Sequence, residues 1–125
     1  MSEILEGINK LPEDYPSKDR IQEWKDEFGG VHRLKFNGKP YLYRGVTRSE
    51  HKGLKNKIDP AVQQIDQDWL DEEVVKLAVL YPKVDDEFIN GSKDTKGTLS
   101  GIVPTLAEEI MKVSGYIPDG PPERL

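Results

Sequence analysis

The sequence predicts an α+β fold, a small antiparallel β-hairpin sheet packed against four to five α-helices. The first observation is Asn37-Gly38 between two segments of alternating polarity, because Asn and Gly both accept the positive φ angles of a type I′ hairpin turn. The second is the spacing of Thr47 and Glu50, which is typical of a capping box at the start of a helix. The third is the long apolar stripe at helical spacing that follows Asp68.

Composition limits the classes of protein to which the chain can belong. Its 125 residues suit one small domain. The formal net charge of −5 argues against a nucleic-acid partner, because binding a phosphate backbone needs a clustered excess of Lys and Arg. No apolar stretch is long enough to predict a membrane span, so we expect no membrane partner. The chain has no cysteine, which excludes disulfides and thiolate metal sites.

Residues 1–16 are predicted to form an N-terminal arm, because glycine and proline interrupt its apolar residues. Two roles for this arm remain open: it covers the core, or it docks a partner. Ser17 can cap a helix that runs through Phe28, where Gly29-Gly30 ends it. We expect Trp24 and Phe28 to pack this helix against the hairpin.

The two-residue turn fixes the register of the hairpin, so that Leu34 faces Tyr41 on the side predicted to be buried. Pro40 lacks an N–H group, which predicts an exposed sheet edge where no further strand pairs. The buried face comprises His32, Leu34, Phe36, Lys39, Tyr41 and Tyr43, and the opposite face comprises Arg33, Lys35, Leu42 and Arg44.

Three helical segments are predicted after the hairpin. The first follows the Thr47 cap and reaches about Ile58. A short second helix is predicted over residues 59–66. The third and longest begins at Asp68 and is closed by Pro82, because proline disfavours helical geometry in the residue before it. Its inward stripe consists of Leu70, Val74, Leu77, Ala78 and Tyr81.

The remaining sequence predicts a loop, a helix and a tail. Residues 83–100 form a predicted polar loop, and a loop of this length is usually functional or mobile. A last helix is expected from about Ile102 to Ser114, capped by either Ser100 or Thr105. The predicted organisation is therefore an arm over 1–16, a single α+β domain over 17–116 and an extended C-terminal tail over 117–125.

No residue pattern predicts catalysis, a metal or a cofactor. Neither His32 nor His51 has a second histidine or a carboxylate at the spacing of a metal motif. Asp85-Asp86-Glu87 is interpreted as a solvated acidic loop, because an EF-hand needs ligands at alternate positions and a glycine at the sixth. We therefore expect a non-enzymatic protein with no cofactor.

A binding surface is the remaining functional expectation. Basic side chains on the outer hairpin face could form an acid-binding patch or a solvated strand face, and both interpretations remain open. The hairpin edge, the polar loop and the arms could bind a partner segment by strand addition or by groove docking. The candidate partner-binding residues are Arg33, Lys35, Arg44, Arg48, Phe88 and Ile89.

A set of short motifs spans about Arg20 to Tyr116. The set consists of Trp24-Lys25, Phe28-Gly29, Tyr41-Leu42-Tyr43-Arg44, Val46-Thr47-Arg48 with Glu50, Ile102 through Ile110, and Ser114-Gly115-Tyr116. Together these motifs resemble the small tail and baseplate assembly proteins of tailed bacteriophages, of the tail assembly chaperone type. The resemblance implies a non-enzymatic protein that holds tape-measure, tube, hub or baseplate subunits in the host cell cytoplasm until they assemble.

Two other roles remain open beside the chaperone role. One is a structural component of the virion tail or baseplate, whose arm and tail are ordered by neighbouring subunits. The other is a small phage inhibitor of a host protein. An oligomer is compatible with all three roles.

Overall fold

The structure is a computed structural model that describes residues 12–58, 61, 66–94, 96–116 and 120–125. Within these residues, five α-helices and a three-stranded antiparallel sheet form an α+β fold, which confirms the predicted fold class. The elements in chain order are α1 Lys18–Phe28, β1 His32–Phe36, β2 Lys39–Tyr43, α2 Arg48–Lys55, α3 Gln67–Ala78, β3 Val79–Tyr81, α4 Asp86–Asn90, α5 Ile102–Met111 and a π-helical turn Lys112–Tyr116.

The hairpin has the predicted turn and register. Asn37 and Gly38 have φ angles of 52° and 80°, the positive values that a type I′ turn requires at both positions. Leu34 lies opposite Tyr41, and Lys35 lies opposite Pro40. The prediction of the hairpin from Asn37-Gly38 is therefore confirmed.

The third strand contradicts two predictions. Val79–Tyr81 pairs with β2 in the order β1-β2-β3, so the predicted helix over 68–82 ends early and β2 is the central strand. Pro82 disfavours helical geometry in Tyr81, and β-branched and aromatic side chains favour a strand. Pairing begins at Leu42, two residues beyond Pro40, so the missing N–H of Pro40 leaves the ladder intact. The strand of the hairpin that lies at an edge of the sheet is therefore β1.

The helix caps follow the local sequence closely. Ser17 caps α1 by accepting a hydrogen bond from the Arg20 N–H, and Gly29 ends the helix in the left-handed conformation. Thr47 and Glu50 form both hydrogen bonds of the predicted capping box. The short helix predicted over 59–66 falls mostly on positions outside the described residues, as does most of the arm predicted over 1–16.

The core lies between α3, α5 and the central strand. Leu106 and Ile110 of α5 and Val75 of α3 are its most deeply buried large side chains. Leu77, predicted to face inward, is only half-buried at the margin of this core. Other buried core residues are Tyr41, Tyr43, Val46, Leu54, Val74, Ala78, Val79, Val84, Ile89, Ile102, Val103 and Ala107.

Helix α1 does not pack as predicted. It contributes no buried residue to the protein, and the ring of Phe28 lies 4.5 Å from the Arg44 guanidinium carbon. Trp24 is half-buried, and the guanidinium carbon of Arg20 lies 5.0 Å from the centre of the Trp24 ring. The expected packing of Phe28 on the hairpin face that carries Leu34 is therefore wrong, because Arg44 belongs to the opposite face.

The ends of α5 also differ from the prediction. Gly101 is the N-cap and has no side-chain cap hydrogen bond, so neither Ser100 nor Thr105 caps the helix. The α-helix ends at Met111 and continues as the π-helical turn, in which Gly115 has a φ of 92°. Ser114 in this turn donates a hydrogen bond to the Ile110 carbonyl and accepts one from the Val46 N–H.

The predicted polar loop over 83–100 contains a short helix. Asp85 caps α4 by accepting a hydrogen bond from the Phe88 N–H, and Ile89 is buried in the core. Gly97 then passes so close to this helix that a Cβ on it would lie 2.6 Å from the Ile89 carbonyl oxygen. The prediction of an irregular segment was therefore wrong for residues 86–90.

Candidate functional site

An open groove of about 710 Å³ lies between the hairpin tip, the segment after β3, helix α4 and the segment leading into α5. Together with Pro12, which precedes α1, five separate parts of the chain thus form its walls. Its apolar lining includes Phe36, Tyr41, Tyr81, Phe88, Leu99 and Ile102.

The aromatic floor of the groove is held by edge-to-face packing. The ring of Tyr41 lies 5.5 Å from that of Phe36, at an interplanar angle of 87°, and 6.3 Å from that of Phe88, at 76°. Burial raises the pKa of the Tyr41 phenol, which also makes a side-chain hydrogen bond with Thr98. The floor therefore has a fixed shape before any partner arrives.

The residues that precede α1 form one end wall of the groove. Pro12 lines it, and the ring of Tyr15 contacts that of Tyr81 edge-to-face at 5.5 Å. The Tyr81 hydroxyl donates a hydrogen bond of 2.6 Å to Asp14. Burial, together with this hydrogen bond, raises the pKa of Tyr81 to about 12. Tyr81 is therefore protonated and hydrogen-bonded at neutral pH.

Three exposed lysines line the groove. Lys39 comes from the hairpin, Lys83 from the segment after β3 and Lys96 from the segment before α5. None of them has an ion-pair partner among the residues that the structure describes. The groove also contains Asp85 and Glu87, which accept hydrogen bonds from the Phe88 N–H and the Ser92 hydroxyl.

Leu99 is an exposed apolar side chain at this groove. Its exposed fraction is 65%, although the side chain belongs to a residue type that usually lies inside proteins. Exposed leucines are common singly, but this one adjoins a preformed aromatic floor. Leu99 and the aromatic floor therefore both belong to the apolar part of the groove lining.

Arg44, a predicted surface candidate, is an interior residue. Only 7% of its surface is exposed, and two guanidinium nitrogens donate hydrogen bonds of 2.8 Å to the two carboxylate oxygens of Glu50. The Arg44 guanidinium also donates to the carbonyls of Gly45 and Leu77. The hydrogen bonds from Arg44 are the main reason why the pKa of Glu50 is lowered to about 2. The assignment of Arg44 to an exposed binding surface was therefore wrong.

The other predicted binding residues are divided between surface and core. Arg33, Lys35 and Arg48 are exposed, as a binding role requires. Phe88 is half-buried in the groove, whereas Ile89 is only 8% exposed and belongs to the core. Among the apolar residues that line the groove, sequence reasoning named Phe88. It missed the other apolar lining residues because segments that are distant in the sequence contribute them.

The two histidines occupy different environments. His32 stacks on Tyr43 with 5.6 Å between ring centres. His51 is buried, and burial with nearby Lys55 and Arg48 lowers its pKa. It lines a small pocket of about 160 Å³ beside Ser114. Among the described residues, no group of three or more His, Asp or Glu side chains could hold a metal ion.

Comparisons with protein-family models, with curated proteins and with solved structures give no match to this chain. Over the described residues, no helix combines the length and the apolar character that a membrane span needs.

Proposed function

We propose that this protein is a non-enzymatic phage tail or baseplate assembly protein that binds an extended segment of a tail component in the groove. The candidate components are tape-measure, tube, hub or baseplate subunits, and the binding takes place in the host cell cytoplasm. The observation that carries the proposal is the fixed aromatic floor of Phe36, Tyr41 and Phe88 beside the exposed Leu99. The tail-assembly role itself rests on the resemblance of the sequence motifs.

The shape of the groove favours a protein segment over a small molecule. Sites for small ligands usually enclose most of the ligand surface, whereas this groove is partly open to solvent. An aromatic floor with a charged border is typical of grooves that bind extended peptides, because apolar side chains supply anchoring and the border supplies orientation. A chaperone-like role also requires reversible binding, which a groove that leaves part of the bound segment exposed supports.

The titratable groups with strongly shifted pKa values favour a binding role over catalysis. Glu50 stays ionised in its pair with Arg44, and Tyr81 stays protonated against Asp14. A general acid or base works best with a pKa near the operating pH. Neither group meets that condition, and both take part in contacts between elements.

Site-specific cross-linking with defined partners tests the proposal. A photoreactive amino acid replaces Leu99 in the full chain, and the variant is produced together with the tail and baseplate proteins encoded by the same genome. We expect a covalent adduct with one of these proteins after irradiation. The matched control places the same amino acid at Lys52, an exposed position on α2 away from the groove lining.

Purified particles separate the chaperone role from the structural alternative. A chaperone should be absent from mature particles or present in trace amounts. A stoichiometric band of this protein in the particles supports the structural role instead. A genome without tail proteins, or adducts that form equally from positions 99 and 52, contradicts the proposal.

A further inference from the structure

The outer edge of β1 is a second binding feature, separate from the groove. β1 lies at one end of the sheet order β1-β2-β3, so within the part of the chain that the structure describes only its edge toward β2 pairs with a strand. The two-residue turn makes Phe36 and Lys39 a hydrogen-bonded pair, and such pairs alternate along an antiparallel ladder. Arg33 and Lys35 therefore direct their backbone N–H and C=O groups away from β2.

Within the described part of the chain, these backbone groups have no second strand beside them. Among the hydrogen bonds between described residues, none outside the hairpin uses the backbone of Arg33 or Lys35. Both residues are exposed. An edge with unpaired donors and acceptors is a template for strand addition, unless charged side chains prevent it.

The charge at this edge has one sign. No acidic residue occurs from Val31 to Ser49, although the whole chain carries a net charge of −5. Arg33 and Lys35 have no ion-pair partner among the described residues. Because successive side chains alternate across a strand, these two cations lie on the same face of β1.

The opposite face of β1 carries two apolar side chains after His32. Leu34 and Phe36 are half-buried there against the core. A strand added beside β1 would therefore place every second side chain next to cations and the intervening ones next to apolar groups. The edge consequently selects both a conformation and a pattern of residues.

We infer that the outer edge of β1 binds an extended acidic segment of a partner protein by strand addition. The segment carries Asp or Glu at every second position and apolar side chains between them. Its backbone pairs with the N–H and C=O groups of Arg33 and Lys35, and its carboxylates lie beside their side chains. This inference does not depend on occupancy of the groove.

Selection from a displayed library of random ten-residue peptides tests the inference on the full chain. Peptides are retained if they bind the unchanged protein and not its Arg33→Glu/Lys35→Glu variant. We expect the retained peptides to alternate acidic and apolar residues. Their affinity for the unchanged protein should fall as salt concentration rises, because salt screens the attraction between charges. The Lys18→Glu/Lys52→Glu variant, with two exposed lysines reversed elsewhere, should bind as the unchanged protein does.

Amide hydrogen exchange separates strand addition from attraction of charge alone. Binding of a selected peptide should slow exchange of the Arg33 and Lys35 amides at least tenfold, because only strand pairing engages those N–H groups. The Arg33→Gln/Lys35→Gln variant should retain the fold and weaken binding, and its amide spectrum verifies the fold.

Three results overturn the inference. The first is a retained set of peptides without alternating acidic residues. The second is binding of acidic peptides with unchanged exchange of the Arg33 and Lys35 amides. The third is a failure to retain any peptide, which means that these charges protect the edge from pairing. None of these results bears on cross-linking at Leu99, so the groove proposal stands or fails separately.

Discussion

Arg44 and Glu50 form a two-pronged ion pair beneath the ring of Phe28, with both nitrogen–oxygen distances at 2.8 Å. The Glu50 carboxylate also accepts a hydrogen bond from the Thr47 N–H, and the Arg44 guanidinium also donates one to the Leu77 carbonyl. One ion pair therefore connects the end of β2 with the start of α2 and with the end of α3. Charge-assisted hydrogen bonds of this geometry are among the stronger ones in proteins.

Replacing Glu50 with Gln should destabilise the protein at pH 7 by about 3 kcal/mol. This value is near the lower end of the usual cost of breaking a buried ion pair, because the carboxylate is partly exposed. Arg44 would keep its charge without a counter-ion. Urea unfolding at pH 7 measures the change. Glu23→Gln is the control, because its pair with Arg20 is largely exposed and should contribute less than about 1 kcal/mol.

The same pair predicts how stability depends on pH. The folded state lowers the pKa of Glu50 from 4.5 to about 2, so the stabilisation is complete above pH 4.5 and disappears as the pH falls through 2. The difference in unfolding free energy between the unchanged protein and Glu50→Gln should therefore shrink over that interval. A difference that stays constant from pH 7 to pH 2 would show that the carboxylate charge is not responsible.

Gly97→Ala should lower the stability by at least about 1 kcal/mol, the usual cost of a left-handed conformation for a residue with a Cβ. Gly97 has a φ of 78°, and the added Cβ would also clash with the Ile89 carbonyl. Gly53→Ala is the matched control, because Gly53 lies in α2 with open space around it. It should raise stability by about 0.5–1 kcal/mol. Thermal unfolding of both variants measures these two stability changes, which should have opposite signs. A Gly97→Ala protein as stable as the unchanged one would contradict the close approach of Gly97 to the Ile89 carbonyl.

Leu106→Ala should cost about 2–5 kcal/mol, because Leu106 is only 1% exposed and its truncation leaves a cavity. Leu77→Ala should cost less than half as much, since Leu77 is half-buried at the edge of the core. Chemical denaturation of the two variants compares identical substitutions. Equal losses of stability would mean that α3 presents a different face to the core.

Ser114→Ala should destabilise the protein by about 1–3 kcal/mol, because it leaves the partly buried Val46 N–H without its hydrogen-bond acceptor. Ser100→Ala should be close to neutral, because Ser100 makes no cap hydrogen bond to α5. Differential scanning calorimetry of both variants provides the comparison. A larger loss of stability for Ser100→Ala would indicate that Ser100 caps α5, which is one of the two caps that the sequence predicted.

The sequence predicted those features whose causes lie within a few residues. The Asn37-Gly38 turn, the Ser17 cap and the Thr47–Glu50 capping box each depend on short-range geometry, and all three are present. Alternation of side chains then extended the turn into a correct hairpin register. Fold class followed from these local signals.

Features that depend on distant partners could not be predicted in the same way. Val79–Tyr81 becomes a strand because β2 is beside it, whereas its apolar residues alone also fit the end of a helix. Arg44 is buried because Glu50 and the Leu77 carbonyl receive its hydrogen bonds. The groove escaped prediction for the same reason, because its lining comes from several segments.

Amide hydrogen exchange of the complex with a tail protein identified by cross-linking tests the central claim most directly. We expect slower exchange for amides of groove residues, particularly Lys83, Gly97 and Leu99, on binding of that protein. We also expect loss of the complex in Leu99→Asp and retention in Lys52→Glu. A complex that leaves exchange at the groove unchanged, or that survives Leu99→Asp undiminished, would contradict the claim that the groove is the binding site.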